Sequence, residues 1–107
     1  MKYMLFSLIP LVAVYSSPSA AISDAGAVGA NAGAMIHCYN NFSDGETKSK
    51  YKLLKLSTYD EYKKLDSHDR TKALITKKAA EDGEYLGDPL DQERCNSLRK
   101  TLYLKYH

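Results

Sequence analysis

Residues 24–42 read DAGAVGANAGAMIHCYNNF, and the fold turns on whether this stretch is a loose leader or a helix. Gly26, Gly29 and Gly33 argue for a leader, because each glycine costs about 1 kcal/mol relative to alanine inside a helix. The spacing of the larger residues argues the other way. Val28, Ala32, Met35, Tyr39 and Phe42 follow one another at steps of four, three, four and three, which is one stripe of a helix. Ser23 or Asp24 stands where an N-cap is wanted. We therefore expect a helix from about 24 to 42 with a weak first half. Gly29 and Gly33 lie one turn apart and leave room for a second helix to approach. The same spacing occurs in membrane helix pairs but is common by chance in alanine-glycine stretches, so it carries no membrane role.

Upstream, Lys2 sits beside the amino terminus, Met4 to Tyr15 form an apolar run, and Ser16-Ser17-Pro18-Ser19-Ala20-Ala21 supplies small residues. This is the pattern of a secretory signal peptide. The run is too short to span a bilayer, which takes about 20 apolar residues. Cleavage after Ala21 puts Ser19 and Ala21 at the two small-residue positions, so residues 1–21 are read as the signal peptide and 22–107 as a single helical domain.

Downstream, Ser43-Asp44-Gly45-Glu46 reads as a turn. A second helix is expected over about 47–56, with Lys48, Lys50, Lys52 and Lys55 opposite its apolar face. Thr58-Tyr59-Asp60-Glu61 fits the S/T-x-x-E capping box and is expected to open a new short helix to about Leu65. Asp66 or Ser67 caps a further helix to about Glu81, buried through Leu74, Ile75 and Ala79. Asp82 to Gly87 breaks the chain. Asp88-Pro89 restarts a helix, with aspartate at the N-cap and proline at the first helical position. Cys95, Leu98, Leu102 and Tyr106 form its inward stripe, and Arg99, Lys100 and Lys105 suit its C-terminal dipole. The chain is thus an all-α, small irregular bundle of four to five helices.

Such a core is thin. Leu, Ile, Val and Phe together make only 15 of residues 22–107, extended by eight alanines and seven tyrosines. Cys38 and Cys95 are the only cysteines, and in an exported chain a disulfide is the expectation. It would join the first and last helices and close a loop of about 58 residues, for which chain entropy gives roughly 4 kcal/mol. A reactive Cys38/His37 pair is disfavoured, since neighbours on a helix point about 100° apart.

Catalytic patterns are weak. The acidic clusters fall at expected helix ends, where capping explains them, and His37, His68, His107 and the cysteines lack metal-ligand spacing. No phosphate-loop, dinucleotide or nucleophile-elbow motif occurs. We expect no enzyme, no cofactor and no metal. The net charge of +2 falls short of a nucleic-acid binder. The remaining reading is an exported, periplasmic or secreted interaction protein such as an inhibitor, immunity or chaperone-like protein. Candidate contacts are Tyr85 and Leu86 in the glycine-flanked loop, and the Lys48, Lys50, Lys52 and Lys55 face. The alternative is a secreted effector or toxin acting on a host, a competitor or a membrane surface.

Overall fold

The computed structural model describes residues 23–106. The expected signal peptide and its cleavage site lie outside them. Four helices and a minimal hairpin follow in order: α1 (Asp24–Phe42), α2 (Lys48–Lys63), α3 (Ser67–Glu81), β1 (Glu84–Tyr85), β2 (Asp88–Pro89) and α4 (Gln92–Tyr106). The expected helical bundle is what forms.

α1 is the hub, packed against each of the other helices and against β1. The Ser23 hydroxyl caps it by accepting from the Gly26 N–H at 3.0 Å. Its glycine-rich first half, weak in propensity, is the most deeply embedded part. Ala25, Gly26, Gly29, Ala30, Ala32 and Gly33 are all buried, because residues this small let neighbours close in on more than one side. Tertiary packing outweighs the propensity deficit here.

The closest neighbour is α3, which runs alongside α1 in the same direction. A Cβ added at Gly29 would stand 2.0 Å from the Ala73 carbonyl oxygen, and one at Gly33 would stand 2.1 Å from that of Lys77. The Thr76 hydroxyl donates across the seam to the Gly26 carbonyl at 2.7 Å. At that separation only small side chains fit, so Ala73 and Ala80 are the buried residues of α3. This corrects the expected buried set: Leu74 is partly and Ile75 largely exposed, Ile75 at 72%, and Ala79 is half-buried. Asp66 caps α3 as expected, accepting from the Asp69 N–H at 2.8 Å.

α2 differs from expectation more sharply. It is one helix to Lys63, with no break at the Thr58 capping box. Tyr51, Leu54, Thr58 and Tyr62 form its buried stripe at steps of three, four and four. Thr58 is 1% exposed, and its hydroxyl donates to the Leu54 carbonyl at 2.7 Å inside the helix. Glu61 instead accepts a hydrogen bond from the Tyr106 hydroxyl. The capping residues were present, but the continuous inward stripe favours propagation over a restart.

The turn into α2 is built on Asp44. Its Oδ1 accepts from the N–H and hydroxyl of Thr47 and from the N–H of Glu46, all at 3.0 Å. These bonds, led by that of the Thr47 N–H, hold the carboxyl below its ordinary value of 3.8. A depressed carboxylate stabilises the fold above the unfolded pKa and loses that contribution as pH falls through the folded value. Asp44→Asn should therefore melt earlier than the parent at pH 6, and the gap should narrow at pH 2. An equal gap at both pH values would contradict the assignment.

A second correction concerns the start of α4. Asp88-Pro89 does not open a helix; it pairs antiparallel with Glu84–Tyr85, Tyr85 opposite Asp88. Leu86 (φ 49°) and Gly87 (φ 96°) make the two-residue turn, the type I′ geometry that matches strand twist. The cap is Asp91, whose Oδ1 accepts from the Arg94 N–H at 2.8 Å. Asp91→Ala should cost about 1 kcal/mol in denaturant melts, whereas Asp88→Ala, losing only an exposed pairing with Arg94, should stay within about 0.5 kcal/mol. The reverse ranking would restore Asp88 as the cap. Leu86 is strained, since a branched side chain at positive φ costs about 1 kcal/mol. Leu86→Gly should accordingly raise the melting temperature by several degrees, and an unchanged or lower one would remove the strain argument.

The main core gathers Met35, Cys38, Tyr51, Leu54, Leu90, Cys95 and Leu102, with Tyr39, Phe42, Tyr85, Leu98, Tyr103 and Tyr106 packed at its edge. A smaller cluster holds Ala32, Tyr62 and Ala73. Tyrosine thus serves mostly as core edge. Cys38 and Cys95, both fully buried, are joined with Cα atoms 5.6 Å apart, linking α1 to α4.

Candidate protein-binding surface

The two residues expected at the loop contact part company. The Tyr85 hydroxyl turns inward and donates to Asn31 Oδ1 of α1 at 2.7 Å, while the Arg94 guanidinium lies 5.3 Å from its ring centre. Burial pushes the Tyr85 phenol above its ordinary 10.0, opposed by the charge of Arg94. Tyr85 therefore anchors the hairpin, and Leu86 is what the hairpin displays, 37% exposed at the turn.

The four candidate lysines also separate. Lys48 and Lys55 both reach Tyr39 of α1, at 5.9 and 4.2 Å from its ring centre. Lys50 lies on another side of α2, 5.2 Å from the Tyr103 ring of α4. Lys52 is exposed. Each of the three contacts drapes a cation over an aromatic face, worth about 0.5–1 kcal/mol where exposed. Lys48, Lys52 and Lys55 stand at i, i+4 and i+7 on one side of α2, and Lys50 points about 200° away from Lys48, so the four divide into a set of three and one.

Lys50 belongs to a groove of about 290 Å³ between the start of α2 and the later turns of α4, lined also by Arg99, Lys100, Tyr103 and Leu104. Arg99 is fixed there. Its Nη1 donates to Asn96 Oδ1 at 2.7 Å and to the Tyr51 hydroxyl at 3.4 Å, and its guanidinium lies 5.4 Å from the centre of the fully buried Tyr51 ring. Leu104 is 82% exposed. A different groove, at the start of α4, carries Asp88, Asp91 and Glu93 beside Arg94. α4 thus presents acidic residues at one end and basic residues at the other.

The sequence reading missed Arg99, Lys100, Tyr103 and Leu104 as a set with Lys50. In the sequence Arg99 and Lys100, like Lys105, suit the dipole of α4, which is a local argument, and the meeting of the first two with α2 is tertiary. The Cys38/His37 pair is absent: Cys38 is bonded to Cys95, and His37 Nδ1 donates to the Glu81 carbonyl at 3.1 Å. Among the described residues, no group of three metal-ligating side chains converges, and no helix is long and apolar enough to cross a membrane.

Fold and surface together define a small disulfide-crosslinked helical protein that displays a hairpin tip and a cationic groove. Comparison with protein-family models, curated proteins and solved structures gave no match.

Proposed function

We propose that this chain is an exported protein, periplasmic or secreted, that acts by binding a protein partner rather than by catalysis. Export is supported by the signal-like residues 1–21 and by the disulfide, a bond that persists in oxidising compartments. Binding is supported above all by Leu86. A leucine in a left-handed turn costs stability that glycine or asparagine would recover, and Leu86 is not among the side chains gathered in either core cluster. Strain held at an exposed apolar tip fits a residue kept for contact with another molecule. Tyr85 and Arg94 behind it hold the tip in place, so little order remains to be imposed on binding. Lys48, Lys50, Lys52 and Lys55 are further candidate contacts.

The test uses the opposing signs of one substitution. Leu86→Gly should stabilise the free protein yet weaken, by about tenfold, a complex isolated from the envelope or culture medium with tagged full chain as bait. A complex indifferent to Leu86→Gly and to the paired change Lys48→Ala/Lys55→Ala would sink these contacts. Leakage from liposomes treated with the purified protein, without any partner, would replace the reading by that of a secreted effector.

A further inference from the structure

The groove of Lys50, Arg99 and Lys100 is a basic cleft with no carboxylate in its lining; the charge of Arg99 reaches Asp44, in the turn before α2, only as the smallest of the influences on that carboxyl. Four cations of the described residues stand in ion pairs: Lys64 with Asp60, Lys77 with Glu81, Arg94 with Asp88 and Lys105 with Glu61. Among the described residues, none of the three groove cations is in an ion pair. Between them stand the Tyr103 ring and the exposed Leu104, so the site offers an apolar floor with a basic rim. Arg99 is already oriented by Asn96 and by the buried Tyr51, which reduces the ordering cost of receiving a carboxylate. A guanidinium held this way suits bidentate recognition of a carboxylate.

From this we infer that the groove docks an acidic segment of a protein partner, one that sets a carboxylate against Arg99 and Lys100 and an adjacent leucine or aromatic side chain against Tyr103 and Leu104. The inference rests on the protein-binding reading above and names the chemistry of the partner. Charge layout favours a short acidic segment over a bilayer or a nucleic acid. α4 is fifteen residues, or about 22 Å, and beside its other end stand Asp88 of β2, the cap Asp91 and Glu93 of the first turn. An extended anionic surface laid along α4 meets those carboxylates, whereas a segment of a few residues stays within the basic end.

The experiment measures fluorescence anisotropy of a fluorescein-labelled decapeptide alternating Glu and Asp with Leu and Phe, against the oxidised protein. Its counterpart carries Gln and Asn in place of the acids. The acidic peptide should bind, and its neutral counterpart should bind at least about tenfold more weakly. Lys50→Ala and Lys100→Ala should each weaken binding by about fivefold, and Leu104→Ala by about fivefold to tenfold. All three side chains are exposed, so melting curves should show the fold intact; Lys72→Ala, exposed on α3 and outside the groove, should change nothing. Equal binding by all variants would overturn the inference. So would binding to phosphatidylglycerol vesicles, or self-association, that depends on Lys50 and Lys100 without peptide binding. A photo-crosslinking amino acid in place of Leu86 or of Leu104 separates the two levels. Partner adducts at 86 with none at 104, and no peptide binding, would remove the groove while leaving the protein-binding reading; no adduct at either position would remove both.

Discussion

Replacing Gly33 by alanine is expected to destabilise the protein by about 2–3 kcal/mol, although the same change in an open helix would stabilise it by up to about 1 kcal/mol. The reversal comes from one distance. The new methyl would stand 2.1 Å from the Lys77 carbonyl oxygen and 2.9 Å from the Ala80 Cβ, so α3 must move outward and the small-residue seam opens. Gly29→Ala meets the Ala73 carbonyl at 2.0 Å and the Thr76 hydroxyl at 2.7 Å, and it additionally strains the Thr76 bond to Gly26. The double variant should fail to dock α3, exposing Ala73 and Ala80 to solvent and raising amide exchange along that helix. Gly45→Ala is the control, because nothing lies within 4 Å of its Cβ; its melting curve should stay near that of the parent. Denaturant melts of all four proteins check the account, and a tolerated Gly29→Ala/Gly33→Ala pair would contradict the packing.

Removing the crosslink by Cys38→Ala/Cys95→Ala is expected to cost about 4 kcal/mol, since 57 residues of separation set the loop-closure entropy returned to the unfolded chain. For a domain of this size that is a fall in melting temperature of roughly 20 °C. The loss is large against a total stability of about 5–15 kcal/mol. α4 should suffer first. The disulfide ties it to α1, it meets α2 through Arg99 with Tyr51 and Tyr106 with Glu61, and Cys95 and Leu102 are its only buried residues. Circular dichroism melts with and without reductant, on the parent and the double variant, provide the measurement. The reduced parent should match the variant; a parent that melts alike in both states would show that the crosslink is ornamental to the fold.

Much of the architecture was legible because it rests on local rules. The span of α1, the Asp66 cap of α3, the inward stripe of α4 and the Cys38–Cys95 pairing each follow from spacing or capping that a few residues decide. The close approach at Gly29 and Gly33 was legible too, since only the absence of a side chain permits it. What escaped was set by partners far away in sequence. Thr58 and Glu61 hold the residues of a capping box, yet Thr58 is buried on the inward stripe of α2, and Glu61 is taken by Tyr106. Leu74 and Ile75 look like core residues until the seam with α1 admits only Ala73 and Ala80. The hairpin at 84–89 went unseen because its turn is Leu86-Gly87, where asparagine or aspartate would have signalled type I′. The groove was hidden for a similar reason: Lys50 and Arg99–Leu104 are half the chain apart, and their meeting depends on how α4 lies along α2.

Export and crosslinking carry the functional reading, and both are open to one measurement: intact mass of the protein recovered from the medium or periplasm, treated with iodoacetamide before and after reduction. The account predicts a chain starting at or within two residues of Ile22 that takes up no label until reduced and then takes up two. A chain retaining residues 1–21, or one alkylated at Cys38 or Cys95 without reduction, would contradict it.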